Sequence, residues 1–201
     1  ISSEIISISN EIKVDLIVMG TKGGDSHNDL FMGTHTYRTL TKSKLPILTV
    51  RINPINKGYS TILLPIDLSI HTRQKVNVAI QFAKLFNSNL SIIGMYNQSE
   101  TTHKFKLDVY IKQIEKECEK KNVSVHCEVV KTEHKVKKTL QVAKKLNADI
   151  IISMTDQDTE MKTILLNNYI HQLINHSKVP ILCIKPEVNE MMEGGTTGIP
   201  F

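Results

Sequence analysis

Residues Val14–Arg51 read VDLIVMGTKGGDSHNDLFMGTHTYRTLTKSKLPILTVR, and Ala148–Lys185 read ADIIISMTDQDTEMKTILLNNYIHQLINHSKVPILCIK. Set 134 positions apart, the two stretches align without a gap. Asp15/Asp149, Ile17/Ile151, Thr21/Thr155, Ser43/Ser177, Lys44/Lys178, Pro46/Pro180, Ile47/Ile181 and Leu48/Leu182 are identical, and the other positions keep the same apolar pattern. Solenoid repeats recur every ~20–50 residues, so a period this long marks a duplicated domain. A chain of 201 residues is about one and a half such periods: one whole unit preceded by the C-terminal half of another.

The whole unit reads as alternating strands and helices. Thr61–Ile66 is a short apolar run, and Thr72–Phe86 places Val76, Ala79, Ile80, Ala83 and Phe86 at helical spacing. Leu90–Met95 is a second strand. Lys104–Lys121 is a charged helix with Phe105, Tyr110, Ile111 and Ile114 on its apolar side. Val123–Val130 alternates as a strand; Val136–Leu146 is helical, Asp149–Ser153 is a β-branched run, Ile164–Ile174 is helical and Val179–Ile184 closes the unit. Apolar strands separated by crossover helices predict a doubly wound α/β domain with a parallel five-stranded sheet. The N-terminal piece predicts helix Ser3–Ile12, strand Asp15–Met19, helix Met32–Ser43 and strand Ile47–Arg51. So small a fragment must lean on the second unit, a partner chain or a preceding half. The expected organisation is a half-domain over 1–52, a linker over 53–59, a complete domain over 60–186 and a flexible tail over 187–201.

Composition narrows the function classes. With 25 Lys+Arg against 20 Asp+Glu the net charge is +5, split +2 over residues 1–59 and +3 over the rest. The densest basic stretches, Lys112–Lys121 and Lys131–Lys145, are punctuated by Glu115, Glu117, Glu119 and Glu133. They read as solvated helix faces rather than a phosphate-tracking surface, which argues against nucleic acid. No apolar run reaches the ~18–20 residues of a membrane span. Nothing at the N-terminus marks secretion, and opening on Ile1 suggests a piece of a longer chain. Three scattered cysteines, Cys118, Cys127 and Cys183, fit free thiols in a reducing cytoplasm. His171 and His176 fall on different helix faces, and His126 and Cys127 on opposite strand faces, so no metal pair is expected. No catalytic constellation of nucleophile and base can be read.

One loop carries chemistry. Gly20-Thr-Lys-Gly23 follows the first strand, and Gly33-Thr34 opens the next helix. Ligands of open parallel sheets bind beyond the carboxyl ends of the strands, where glycines let backbone N–H groups approach an anion. A helix N-terminus there favours phosphate, Thr34 offers a hydroxyl and Lys22 a charge. From spacing alone, glycines that merely shape a long loop are an equal reading.

The pattern Gly-x2-Gly-x9-Gly-Thr after a strand ending in Val-Met resembles the nucleotide-binding signature of the universal stress protein family. ILLPIDLS at Ile62–Ser69 is similar to that family's first strand, and Lys-x-Pro-Ile-Leu, at Lys44–Leu48 and again at Lys178–Leu182, to its last. The resemblance covers residues 1 to about 186 and implies an adenine nucleotide alpha hydrolase-like fold in two tandem domains, the first incomplete. It implies that Met19 packs on adenine, that Gly20, Lys22 and Gly23 border ribose and phosphates, and that Gly33, Thr34 and the His35 backbone hold the phosphate tail. The second unit has Met154, Gln157, Asn167 and Asn168 where the first has Gly20, Gly23, Gly33 and Thr34. It is therefore expected to bind no ATP although Asp67 survives; a composite site borrowing Asp67 is a minor alternative. The resulting expectation is a cytoplasmic stress-response protein, not an enzyme, that binds ATP (with or without Mg) as a regulatory or structural ligand. Its expected partners are a second copy, met through the closing strands, and an unidentified protein. The alternative is a nucleotide-free interaction module, and slow ATP hydrolysis ranks third.

Overall fold

The computed structural model describes residues 1–21, 32–51, 58–69, 72–97, 101–155 and 169–186. The elements are α1 (Ser2–Glu11), β1 (Ile17–Gly20), α2 (Thr34–Lys42), β2 (Ile47–Val50), β3 (Thr61–Ile66), α3 (Gln74–Phe86), β4 (Asn89–Tyr96), α4 (Thr101–Lys120), β5 (Val125–Lys131), α5 (Lys135–Lys145), β6 (Ile150–Met154), α6 (Tyr169–His176) and β7 (Ile181–Ile184). Every element expected from the sequence is present, with ends shifted by a few residues; positions 164–168 of the last expected helix lie outside the described residues.

The sheet is a single one. Seven strands run in the order β1-β2-β7-β6-β3-β4-β5. All neighbours are parallel except β2 and β7, which pair antiparallel. The expected five-stranded parallel sheet is thus the β7-to-β5 part of a larger mixed sheet. Short apolar strands cannot leave their edges bare, and the closing strand of each repeat covers that of the other. Leu48 stands opposite Leu182, its own counterpart, flanked by Ile47 opposite Cys183 and Thr49 opposite Ile181. A local two-fold axis therefore passes between the two leucines.

Side chains alternate between two cores, as the strand period of two requires. One face of the sheet carries Leu48, Ile62, Leu64, Ile92, Ile150, Ile152 and Leu182 under α3 and α4. The other carries Ile17, Ile47, Leu63, Ile93, Ile151 and Ile181 under α1, α2, α5 and α6. On α4 the buried stripe is Leu107, Tyr110, Ile111, Ile114 and Cys118. Phe105, expected on that stripe, is exposed. It lies about 200° around the helix from Leu107 at ~100° per residue, so both cannot face the sheet. Phe86 is also partly exposed, but it stacks on Phe82 and Tyr59 with centroids 4.6 and 4.9 Å away.

The backbone repeats the sequence duplication bond for bond. Ile17 N–H donates to Pro46 O at 3.0 Å as Ile151 N–H does to Pro180 O. Thr21 N–H donates to Val50 O at 2.8 Å as Thr155 N–H does to Ile184 O. The Ser43 hydroxyl accepts from Leu45 N–H as that of Ser177 does from Val179 N–H. Upstream of any sequence identity, Lys13 and Asn147, also 134 apart, both take positive φ (53° and 48°) to end α1 and α5.

Helix α4 lies close on β4. A Cβ added at Gly94 would stand 2.4 Å from Ile111 Cδ1 and 3.2 Å from Leu107 Cδ2. Overpacking of a full core typically costs ~1–3 kcal/mol. Gly94→Ala is expected to lower the stability by about that amount in a urea titration, and Gly94→Val by more.

Candidate functional site

At the carboxyl end of β1 the chain enters the glycine loop and returns at Met32. Thr21 N–H is tied to Val50 O, and Gly33 N–H donates to Thr21 O at 2.8 Å, so the two ends of the loop are fastened together. Thr36 Oγ1 donates to Gly20 O at 2.7 Å, which sets the start of α2 against the end of β1. Gly33 is the N-cap of α2, at φ −59° and ψ 145°, with no side-chain cap. Any residue adopts those angles.

The predicted residues fall as follows. Met19 is half-buried on β1, packed against the core face that α1 and α2 cover. Gly20 ends the strand and is exposed; Thr34 and His35 form the exposed first turn of α2. Lys22 and Gly23 lie outside the described residues. The Gly33 amide has its acceptor in Thr21 O, so the donors open at this end are the N–H groups of Thr34, His35 and Thr36. The first N–H groups of a helix have no intrahelical acceptor, and the dipole adds positive potential there.

The loop is held from across the two-fold axis. Met32 N–H donates to Asn175 Oδ1 on α6 at 2.7 Å, within the core. The Arg51 guanidinium donates to the Asn175 carbonyl, and Asn175 Nδ2 lies 3.4 Å from His171 Nδ1. Burial lowers the pKa of His171. Its edge meets Tyr37 of α2, centroids 5.6 Å apart. Tyr37 and His171 are counterparts in the repeat, and so are the anchors at the axis: Lys185 Nζ donates to Thr41 O at 2.9 Å as Arg51 does to Asn175 O.

In the second repeat the strand end corresponding to Gly20 is Met154, and Asp67 stands beside it. Asp67, at the end of β3, accepts from Lys135 Nζ at 2.6 Å and from the Ser69 hydroxyl at 2.6 Å. The pair stands in a cleft of about 230 Å³ whose walls include Ser153, Met154 and Tyr169. Sequence reasoning missed Lys135, which is the first residue of α5 and the counterpart of Ile1. The signal lay in carrying the 134-residue offset upstream, where apolar Ile1 is answered by a lysine. The proposed composite of Asp67 with the first repeat is excluded by the strand order: β3 lies four strands from β1, roughly 19 Å at ~4.8 Å per strand.

Among the described residues no group of three His, Cys, Asp or Glu side chains could hold a metal ion, and no helix is long and apolar enough to cross a membrane. The three thiols are free. Burial pushes Cys118 up to about 11 and raises Cys127 and Cys183 further, so none is a ready nucleophile.

Burial alone raises the pKa of Asp67, but the Lys135 and Ser69 hydrogen bonds outweigh it and take the group from 3.8 to about 2. A carboxyl depressed on folding contributes stability that is complete above about pH 4 and is lost as the pH falls through about 2. Lys135→Met is expected to raise the Asp67 midpoint, read from its side-chain carboxyl carbon by NMR, and to move the acid limb of the stability curve to higher pH.

The family model for the universal stress protein family matches residues 1–51 and 58–185. Among solved structures, a universal stress protein from Archaeoglobus fulgidus superposes with a TM-score of 0.74 at 22% identity, over 92% of this chain and 66% of that one. A Pseudomonas aeruginosa protein assigned to the same family gives 0.69 at 17% identity, over 92% and 68%. A universal stress protein solved in complex with cAMP gives 0.52 at 18% identity, over 64% of this chain and 98% of its own. The chain thus spans about two thirds of the length of the first two. No curated protein matches it in sequence. At these identities the structures establish the fold, and the family model, matched over both repeats, establishes the kinship: the chain belongs to the universal stress protein family.

Proposed function

We propose that this chain is a tandem universal stress protein whose first repeat binds ATP as a regulatory or structural ligand, with the second repeat degenerate. The observation that carries this reading is the fastened glycine loop: Gly20 and Gly33 brought together at the end of a parallel strand, under a helix N-terminus with donors to offer. In the second repeat Met154 takes the place of Gly20, and the Asp67 carboxylate is already satisfied by Lys135. Phosphate oxygens would be held by the Thr34, His35 and Thr36 amides and the Thr34 hydroxyl, with Met19 beside the base. ATP, with or without Mg, supplies there an anion that orders the loop, and differential binding of ordered and open loops is what a partner protein would sense. The reading is of binding without turnover. It includes a cytoplasmic setting and further self-association. The solved relative holding cAMP brings cyclic nucleotides into the test.

The alternative, a nucleotide-free docking module, is favoured by one observation: β1 has a neighbour on one side only among the described residues. Calorimetric titration with Mg-ATP, GTP and cAMP separates the two. Micromolar ATP binding, absent for GTP and weakened at least about tenfold (~1.4 kcal/mol) in Gly33→Val, is the expected outcome. The backbone angles at Gly33 suit valine, so this variant adds a side chain without backbone strain. An intact circular dichroism spectrum with no nucleotide heat favours the docking module, and the same titration of a chain with a complete first repeat decides between the two.

A further inference from the structure

Helix α5 differs in charge from its counterpart α1. It carries five lysines in 11 residues and no Asp or Glu. Where α5 has Lys137, Lys138, Lys144 and Lys145, α1 has Ser3, Glu4, Asn10 and Glu11. Both helices cover the same face of one sheet, so the fold itself does not call for the lysines. Neighbouring carboxylates do not call for them either. Glu115, Glu117 and Glu119, which punctuate the basic stretches in sequence, lie on α4, across the sheet from α5. Among the described residues Lys135 is the one lysine of α5 paired with a carboxylate, that of Asp67. Lys137 and Lys138 stand in the first turn, where the helix dipole favours the opposite sign.

These lysines border a groove of about 900 Å³ between α5 and α6. Lys137, Leu140, Gln141 and Lys144 line it from α5, at the i, i+3, i+4, i+7 spacing of a single helix face. Tyr169, Gln172 and His176 line it from α6 at i, i+3, i+7. Leu140 and Tyr169 are half-buried, whereas Lys137 and Lys144 are exposed, so the apolar surface lies deeper than the charge. The two walls are tied together. Thr139 Oγ1 lies 2.9 Å from Tyr169 Oη, which bonds α5 to the start of α6, and Val142, Leu173 and Ile174 pack in the core beneath. Glu133, just before α5, is the one acid among the described lining residues.

We infer that the α5–α6 groove is a docking site for an acidic amphipathic helix of a partner protein. A helix laid into such a groove anchors itself through its own i, i+3, i+4 and i+7 positions. Lys137 and Lys144 stand roughly 10 Å apart along α5 at ~1.5 Å per residue, which is two turns of any helix lying alongside. Carboxylates seven positions apart on the partner meet both lysines, while its apolar stripe covers Leu140 and Tyr169. The same carboxylates supply the negative charge that the first turn of α5 lacks. Nucleic acid fits the groove less well. Among the described lining residues Tyr169 is the one Tyr, Phe or Trp on which a base could stack, and Leu140 and Gln141 separate the two lysines. The groove belongs to the second repeat, so the inference stands whether or not the glycine loop of the first binds nucleotide.

The probe is a capped synthetic peptide with leucine at i, i+3, i+4 and i+7 and glutamate at the flanking positions. It is titrated into the isotope-labelled 201-residue chain and followed by fluorescence anisotropy and amide chemical shifts. Saturable binding is expected, with shifts concentrated on α5 and α6 and the seam amides of Ile47–Val50 unmoved. Lys137→Glu combined with Lys144→Glu is expected to weaken binding at least about tenfold, because like charges then face each other. Lys112→Glu combined with Lys120→Glu makes the same charge change on α4, across the sheet, and is expected to leave binding in place. A peptide with glutamine for glutamate is expected to bind at least about tenfold more weakly. No saturable binding to the unsubstituted chain, with its circular dichroism intact, overturns the inference. So does an equal loss in the α4 variant, since the attraction would then be one of net charge. Tighter binding of a mixed-sequence DNA duplex, shifting the same residues, overturns it as well, because the occupant would then be nucleic acid.

Discussion

The antiparallel pairing of β2 with β7 is the constraint on which the rest of this molecule depends. Parallel strands joined by crossover helices build a sheet within each repeat, but nothing in a crossover connects one repeat to the next. The seam does so by setting like against like. Leu48 meets Leu182, and the Ile47–Cys183 and Thr49–Ile181 pairs and the Arg51 and Lys185 anchors flank it as equivalents. This is an isologous interface of the kind that joins the halves of symmetric dimers, enclosed in one chain. Through it two strands and two helices of the first repeat, too few to bury a core of their own, share the core of the second.

The seam also explains how the glycine loop is held. The loop leaves β1 and returns to α2, yet the residue that fixes its return, Asn175, belongs to α6 of the other repeat. Asn175 faces Met32 because the axis brings α6 beside α2, as the Tyr37–His171 contact attests. A ligand that orders the first-repeat loop therefore acts on a structure to which the second repeat contributes a hydrogen bond, though its own cleft is occupied by the Asp67–Lys135 pair.

Much of this architecture was legible in the sequence, and the illegible parts share a cause. Thr61–Ile66 was read to the residue because an uninterrupted apolar run is bounded on both sides by polar residues. The likeness of the two stretches was legible because Asp15, Pro46 and their counterparts keep both identity and spacing. The order and direction of the strands across the seam were not, since a sequence records local periodicity and leaves open which edge meets which. Phe105 was misplaced for a related reason: on a helix carrying apolar residues at several angles, only the sheet decides which stripe is buried. Lys135 was one lysine among many, and its meaning depends on a carboxylate 68 positions away.

The enclosed two-fold axis has an evolutionary corollary. In a dimer of identical subunits each substitution is made twice, so a change that rids one site of its ligand rids both. Here the counterparts are encoded separately. Gly20 can persist while Met154 takes its place opposite, and Ile1 can remain apolar while Lys135 acquires a charge. Symmetry constrains the seam, where both halves must fit each other, and releases the clefts. A symmetric seam within one polypeptide leaves the strand ends on its two sides free to differ.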